Sequence, residues 1–222
     1  MIEGEHLVAV YAERRGAPEV LVVSEAFLER PGVEALCRRF DECTLVVPEA
    51  LFGSMAVLPA GVGMLAVVPT PRPPASDGGD FCILLEDVQD PGNAGSILRT
   101  ASAAGVTHAF LSRHCAFAWA PKVMRAGMGA HFHLEIHEDV DLPAWAVRYR
   151  ARGGQVIATV RDGGTDLYRA ALARPLALAI GNEGAGLSPA LVAASSARVT
   201  IPMPGGMESL NAAAAAAVTL FE

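Results

Sequence analysis

Three stretches of this chain combine glycine, short polar residues and a few charges in a way that a packed core does not require. The first is EDVQDPGNAGSILRTA, Glu86 to Ala101. Pro91 and Gly92 supply a turn, Asn93 is the expected N-cap, and the helix start can hold a phosphate on its free N–H groups. Arg99 follows within the same helix. The second stretch is GNEGAGLSP, Gly181 to Pro189. Its glycines run G-x-x-G-x-G, the reverse of the dinucleotide fingerprint, and the lysine and hydroxyl of a phosphate-binding P-loop are missing. Close backbone approach to a ligand is what such a loop permits. Glu183 is an unusual charge for a plain turn. The third is IPMPGGMESLNAAAAAA, Ile201 to Ala217, in which Ser209, Leu210 and Asn211 lead from a proline-ended strand into an alanine-rich helix. Each stretch also has a purely structural reading: a capped helix with a surface arginine, a simple turn, and an N-cap at Ser209 or Asn211. A shared site is favoured because all three are strand–loop–helix junctions, and in a parallel sheet such junctions gather beyond the carboxyl ends of the strands.

The elements that position these loops follow from apolar periodicity. Strands are expected at Phe81–Leu85, Val106–Leu111, Phe132–Ile136, Val156–Val160, Leu176–Ile180 and Val199–Ile201. Helices are expected at Ala94–Ala104, Ala120–Met128, Leu142–Arg152 and Leu210–Phe221. This alternation predicts an α/β fold with a mostly parallel sheet covered on both faces. Upstream, PTPRPPASDGG (Pro69 to Gly79) reads as a linker. Before the linker, helical spacing at His6–Glu13 and Val33–Phe40, a possible helical turn at Leu51–Met55, and strands at Val20–Val23, Thr44–Val47 and Met64–Val68 form a small α/β segment. The expected organisation is therefore 1–68, a linker at 69–79, and a main domain at 80–222. There is no internal repeat.

Composition bounds the function. The chain has 222 residues, 52% hydrophobic and 18% charged, which describes a folded protein. The formal charge of −7 and pI of about 5.4 argue against a surface that binds nucleic acid by bulk charge. Any RNA contact must use a local patch, for which Arg99, Arg113, His114, Lys122 and Arg125 are the candidates. Cys37, Cys43, Cys82 and Cys115 form no CxxC pair and match no zinc spacing. No metal is expected, and the cysteines suit reduced thiols in a cytoplasmic protein. No signal peptide is visible, and the apolar stretch Val57–Pro69 is too short to span a bilayer.

Read together, NAGSILRTA, GNEGAGL and IPMPGGMESLNAA resemble, in order and spacing, the three signature motifs of the SpoU (TrmH-like) RNA 2′-O-ribose methyltransferases of the SPOUT superfamily. The resemblance is close over Phe81–Glu222 and looser over Met1–Val68, which is similar to the family's small RNA-substrate-binding domain. It implies a C-terminal trefoil knot, a homodimer, S-adenosylmethionine as methyl donor and tRNA or rRNA as substrate. Many relatives carry a short segment upstream of this start, so the chain is expected to lack one. Carried over by position, Asn93 and Arg99 match residues at the reacting ribose, Glu183 the glutamate of the second motif, and Ser209 and Asn211 the polar pair of the third. Gly181, Ile201 and Leu210 match positions whose backbones hold the donor's adenosine. Thr159, Asn182, Gly184 and Met203 complete the expected donor site. One departure is Gly127, where many relatives have serine.

The implied chemistry is an in-line methyl displacement, which needs alignment and a route for the hydroxyl proton. The three motifs contain no histidine, and a guanidinium stays protonated. Arg99 is therefore expected to bind the phosphate beside the target ribose, Glu183 to position Arg99 or the donor, and Asn93 to hydrogen-bond the ribose. An idle RNA-binding protein of the same fold is the alternative. A dehydrogenase is disfavoured by the glycine order.

Overall fold

The computed structural model describes residues 1–57 and 62–222, so the apolar stretch Val57–Pro69 lies partly outside the described residues. The N-terminal part contains β1 (Ile2–Glu3), α1 (Glu5–Arg14), β2 (Val20–Ser24), α2 (Pro31–Arg39), β3 (Thr44–Val47), α3 (Glu49–Met55) and β4 (Met64–Val67). Its sheet runs β1-β4-β2-β3, with β2 and β3 parallel and β4 antiparallel to both its neighbours.

The remainder contains β5 (Phe81–Leu85), α4 (Pro91–Ala103), β6 (His108–Leu111), α5 (Pro121–Gly127), β7 (Glu135–His137), α6 (Leu142–Ala151), β8 (Gln155–Thr159) and β9 (Thr165–Asp166). It then continues with β10 (Leu176–Ile180), α7 (Pro189–Ala194), β11 (Ala197–Thr200) and α8 (Ala212–Leu220). These strands form one parallel sheet in the order β7-β6-β5-β10-β8-β11-β9. β5 and β10 read FCILL and LALAI and are buried along their whole length, as central strands covered on both faces must be. Side chains alternate between faces. Ile83 and Leu85 pack with α4, α5 and α8, whereas Cys82 and Leu84 pack with α6 and α7. No helix among the described residues is long and apolar enough to cross a membrane.

The connecting segment 68–80 carries no helix or strand. Its end is tied to α6, where Asp77 meets Arg148 at 3.5 Å and Arg152 at 3.3 Å. The N-terminal core is closed by Met124 and Phe132 from the other side of this segment. The two sheets are thus joined by packing as well as by chain.

Several local expectations need correction. Asn93 is not the N-cap of α4. Asp90 is, accepting from Asn93 N–H at 2.7 Å, so the helix starts earlier and Asn93 is freed to reach outward from its first turn. The strand expected at Phe132–Ile136 begins only at Glu135. Met128 (φ 49°) and Gly129 (φ 87°) end α5 in left-handed conformations, and Phe132 turns into the N-terminal core, edge-on to Tyr11 at 5.2 Å. α8 begins at Ala212 and not at Leu210, because Asn211, and not Ser209, is its cap.

Candidate active site at the carboxyl ends of the central strands

The three glycine-rich loops leave the sheet at one end and meet there. A cleft opens beyond the ends of β8, β10 and β11, lined by Thr159, Gly181, Asn182, Gly184, Ile201, Met203 and Leu210. Those are the seven expected donor contacts. Glu183 and Ser209 line the same cleft, whereas Asn93, Arg99 and Asn211 do not. Val160, Arg161 and Glu208 also line it and were missed. Their only signal was adjacency to a strand end or to the third motif.

Close packing shapes the loop after β10. Asn182 pairs with Gly186 through both backbone groups, at 3.1 and 2.9 Å, and closes a tight turn. A Cβ on Gly181 would lie 2.3 Å from the carbonyl carbon of Gly186, so the turn requires glycine at this position. Both ends of the Asn182 amide are engaged: Oδ1 accepts from Gly184 and Ala185 N–H at 2.9 Å each, and Nδ2 donates to Asp87 O at 2.8 Å. Asn182 therefore builds the loop. Thr159 likewise spends its hydroxyl on Ala179 O at 2.7 Å, which leaves its backbone to face the cleft.

A chain of side-chain hydrogen bonds ties the loops together. Asn211 Oδ1 accepts from Ala213 and Ala214 N–H at the start of α8, at 2.9 and 3.3 Å. That fixes the amide orientation, so Nδ2 must donate, and it does so to Asn93 Oδ1 at 2.9 Å. Asn93 Nδ2 then donates to Glu183 Oε1 at 3.0 Å. Glu183 also accepts from Gln89 and Asp90 N–H at 3.4 and 3.2 Å. Burial pushes the Glu183 carboxyl up, but the Asn93 hydrogen bond and the backbone N–H groups outweigh it and hold the group below the ordinary glutamate value. An ionised carboxylate with both oxygens engaged is a weak base, and its geometry makes it a positioning group. Its side-chain partner among the described residues is Asn93, where Arg99 or the donor was expected.

Arg99 is exposed on α4 and has no hydrogen-bond or ion-pair partner among the described residues. Arg113, His114, Lys122 and Arg125 are also exposed and unpaired by the same measure. α4 and α5 carry part of this patch side by side because their backbones touch: a Cβ on Gly95 would lie 2.4 Å from Val123 O. The departure at Gly127 has a local cause, since a Cβ there would lie 2.4 Å from a ring carbon of the fully buried His131.

The cleft has the mixed apolar and backbone lining that suits a nucleoside. Val199, Ile201, Met203 and Leu210 offer apolar surface, and the loop after β10 offers backbone. At Gly184 an added Cβ would meet nothing nearer than Asn182 Oδ1 at 3.6 Å, so open space is left there.

Comparison with known proteins identifies the family. Residues 80–221 match the model of the SpoU rRNA Methylase family. The chain is 31% identical to the 23S rRNA (guanosine(2553)-2′-O)-methyltransferase of Bacillus subtilis over all 222 residues, covering 86% of that protein. Some relatives are longer. The match to the 23S rRNA (guanosine-2′-O-)-methyltransferase of Shewanella oneidensis, at 32% identity, covers 64% of this chain and 58% of that one. Among solved structures, the SpoU methyltransferase AviRb of Streptomyces viridochromogenes in complex with AdoMet superposes with a TM-score of 0.84 at 28% identity, covering 99% of this chain and 86% of that one. Matched by the family model over residues 80–221 and by a relative along its whole length, the chain belongs to the SpoU rRNA methylase family.

Proposed function

We propose that this protein transfers a methyl group from S-adenosylmethionine to a ribose 2′-hydroxyl of tRNA or rRNA. The observation that carries the reading is the hydrogen-bonded chain Glu183–Asn93–Asn211, which holds residues of all three motifs together beside the cleft. When bound, the donor supplies an activated methyl on a sulfonium, whose transfer to the ribose oxygen leaves a neutral thioether and releases the hydroxyl proton. Ile201, Met203 and Leu210 would cover the adenine, and the backbone at Gly181 and Gly184 would admit it closely. Asn93 would hydrogen-bond the ribose from an orientation held by Glu183 and Asn211. Arg99 would bind the neighbouring phosphate and polarise the acceptor oxygen, a role suited to a permanently charged guanidinium. Ser209, whose hydroxyl has no partner among the described residues, would face donor or ribose.

The same reading includes a homodimer, a trefoil knot and a cytoplasmic setting. Support for the dimer is that Arg99 lies outside the cleft of its own chain, and that α8 leaves Ala214 and Phe221 exposed after packing on α4. A partner subunit's α4 could bring the missing guanidinium to the cleft. Support for the knot is that β10 inserts between β5 and β8, with α8 returning to α4. A division into an RNA-binding part (1–68), a linker (69–79) and a catalytic part (80–222) accords with the two separate sheets. Free cysteines suit the cytoplasm.

The test is incubation of the purified protein with labelled S-adenosylmethionine and unmodified tRNA or rRNA, followed by alkaline hydrolysis. A 2′-O-methyl ribose blocks cleavage at its own phosphodiester, so label should appear in a dinucleotide. Label confined to mononucleotides would mean a methylated base and would refute the assignment.

A further inference from the structure

A second cavity, of about 470 Å³, opens at the carboxyl end of the edge strand β7, on the face of the sheet that α6 covers. The methyl-transfer reading makes no use of it. Its floor is aromatic: Phe110 stacks on His137 at 4.7 Å between ring centroids and meets Trp145 at 4.5 Å. Burial, and then the neighbouring His108, lower the pKa of His137, so this floor is uncharged near neutral pH. One wall is the loop between β6 and α5, which presents Phe117 and, half-buried behind it, Trp119, whose ring also packs on His131 at 5.4 Å and Phe132 at 6.3 Å. Phe117 is 59% exposed, a large ring left in water beside the cavity. The opposite wall is the proline-rich strap 70–76. Pro71 and Pro73 fix φ there and resist collapse onto the floor.

The charged lining is mixed: Arg148 is held by Asp77 at 3.5 Å, and Glu138 accepts from Ala118 N–H at 2.8 Å with its carboxyl pushed up by burial, which leaves one cation uncommitted. Arg72 lies on the strap, exposed and without a hydrogen-bond or ion-pair partner among the described residues. Flat rings with a free guanidinium beside them complement a base and its phosphate. Stacking tolerates any base, and arginine pairs with phosphate in a fork. The volume lies within the roughly 300–1,000 Å³ typical of small-molecule sites.

Position connects the cavity to the donor cleft. Both open at the carboxyl ends of one parallel sheet, and β7 is separated from β10 only by β6 and β5. At about 4.8 Å per strand those strand ends lie roughly 14 Å apart, so a single-stranded segment passing over the carboxyl end of the sheet can run from the α8 side, where the cleft lies, to the α6 side.

We infer that this cavity is a second RNA subsite, which stacks one unpaired nucleotide on Phe117, beside Trp119, with its phosphate on Arg72. The choice of RNA as the ligand rests on the methyl-transfer reading. Occupying this subsite would hold the strand on one side of the target ribose and would make an unpaired flanking nucleotide matter to the enzyme.

The chain supplies its own probe, because its two tryptophans, Trp119 and Trp145, both line this cavity and neither lines the donor cleft. A uridine hexanucleotide titrated into the full-length protein should quench tryptophan emission saturably. Saturating S-adenosylmethionine should leave the quenching unchanged. Phe117→Ala and Arg72→Ala, both at exposed positions, should each weaken the binding about tenfold or more, as loss of a stacking ring or a phosphate contact does. In methyl-transfer assays the same variants should raise KM for RNA and leave the Kd for the donor unchanged. Absence of quenching, or quenching that persists unaltered in both variants, overturns the subsite. Quenching as expected from a protein that methylates no RNA would instead overturn the methyl-transfer reading and leave the subsite standing.

Discussion

Asn211 donates its Nδ2–H to Asn93 Oδ1 at 2.9 Å, across 118 positions of sequence, and so joins the start of α8 to the first turn of α4. The bond has a fixed direction because Asn211 Oδ1 is committed to Ala213 and Ala214 N–H. Asn211→Asp keeps both capping bonds but loses the donor and sets a carboxylate against an oxygen. The expected result is a thermal midpoint near that of the unaltered protein and a methyl-transfer rate reduced at least about tenfold, the worth of one hydrogen bond to a placed group. Asn211→Ala should in addition lower stability by about 0.5–2 kcal/mol through loss of the cap. Full turnover by the aspartate variant would remove this link from the mechanism.

Arg99 and Gly184 allow a test of shared sites. Arg99→Ala should reduce methyl transfer at least about a hundredfold, in the range for loss of a group that stabilises developing charge, with donor binding intact. Gly184→Val should block the donor. If Arg99 serves the cleft of the partner subunit, mixing the two inactive variants restores one good site in each mixed dimer, about a quarter of full activity after random exchange. No recovery, in a mixture shown by native mass spectrometry to contain mixed dimers, would place Arg99 in its own subunit's site. A monomer with full activity in sedimentation would remove the dimer altogether.

Gly181 and Gly184 should respond differently although they lie three positions apart in one loop. A Cβ at 181 would collide with Gly186 at 2.3 Å, whereas one at 184 has only a 3.6 Å neighbour. Gly181→Ala is therefore expected to lower stability by about 1–3 kcal/mol. Gly184→Val should leave the thermal midpoint within about 2 °C, the size of shift expected for less than about 1 kcal/mol, while raising the Kd for S-adenosylmethionine. Calorimetry and thermal denaturation on both variants decide this. An unchanged donor Kd in Gly184→Val would place the pocket elsewhere.

His131 predicts a pH dependence of stability. Its ring is fully buried, with Nε2 2.8 Å from Ala118 O, and burial lowers its pKa from 6.5 to about 4. Between those values the unfolded chain binds more protons than the folded one, so stability is lost as pH falls from about 6.5 toward 4. The loss attributable to this residue between pH 7 and pH 5 is about 2 kcal/mol. His131→Gln retains an N–H donor toward Ala118 O. Urea unfolding should show a smaller loss in this variant over the same interval. Equal losses in the two proteins would show that the ring does not govern acid sensitivity.

Much of this protein is decided locally, and that part is legible in one dimension. Phe81–Leu85 and Leu176–Ile180 are strands with the ends expected from their apolar runs, because burial of a short run depends on its own residues and the turns beside it; Thr44–Val47 also keeps its expected ends, as an edge strand with Leu45 and Val46 exposed. That seven residues of separate segments line one cleft was legible for a related reason: each loop carries its own glycines and strand end, and a parallel sheet brings such ends to one side. Tertiary structure alone decided the rest. Nothing near Leu176 indicates that β10 pairs with β5 and β8, a choice set by which faces remain to be buried once neighbouring strands are in place. Asn93 read as a cap because its neighbours allow one, but Asp90 takes that role, and the amide is used on Glu183 and Asn211, which lie 90 and 118 positions away. Phe132 read as part of a strand, but it fills the core of the other sheet beside Tyr11. Local propensity acts over a few residues, whereas hydrogen-bond partners and core contacts are fixed only when distant segments meet.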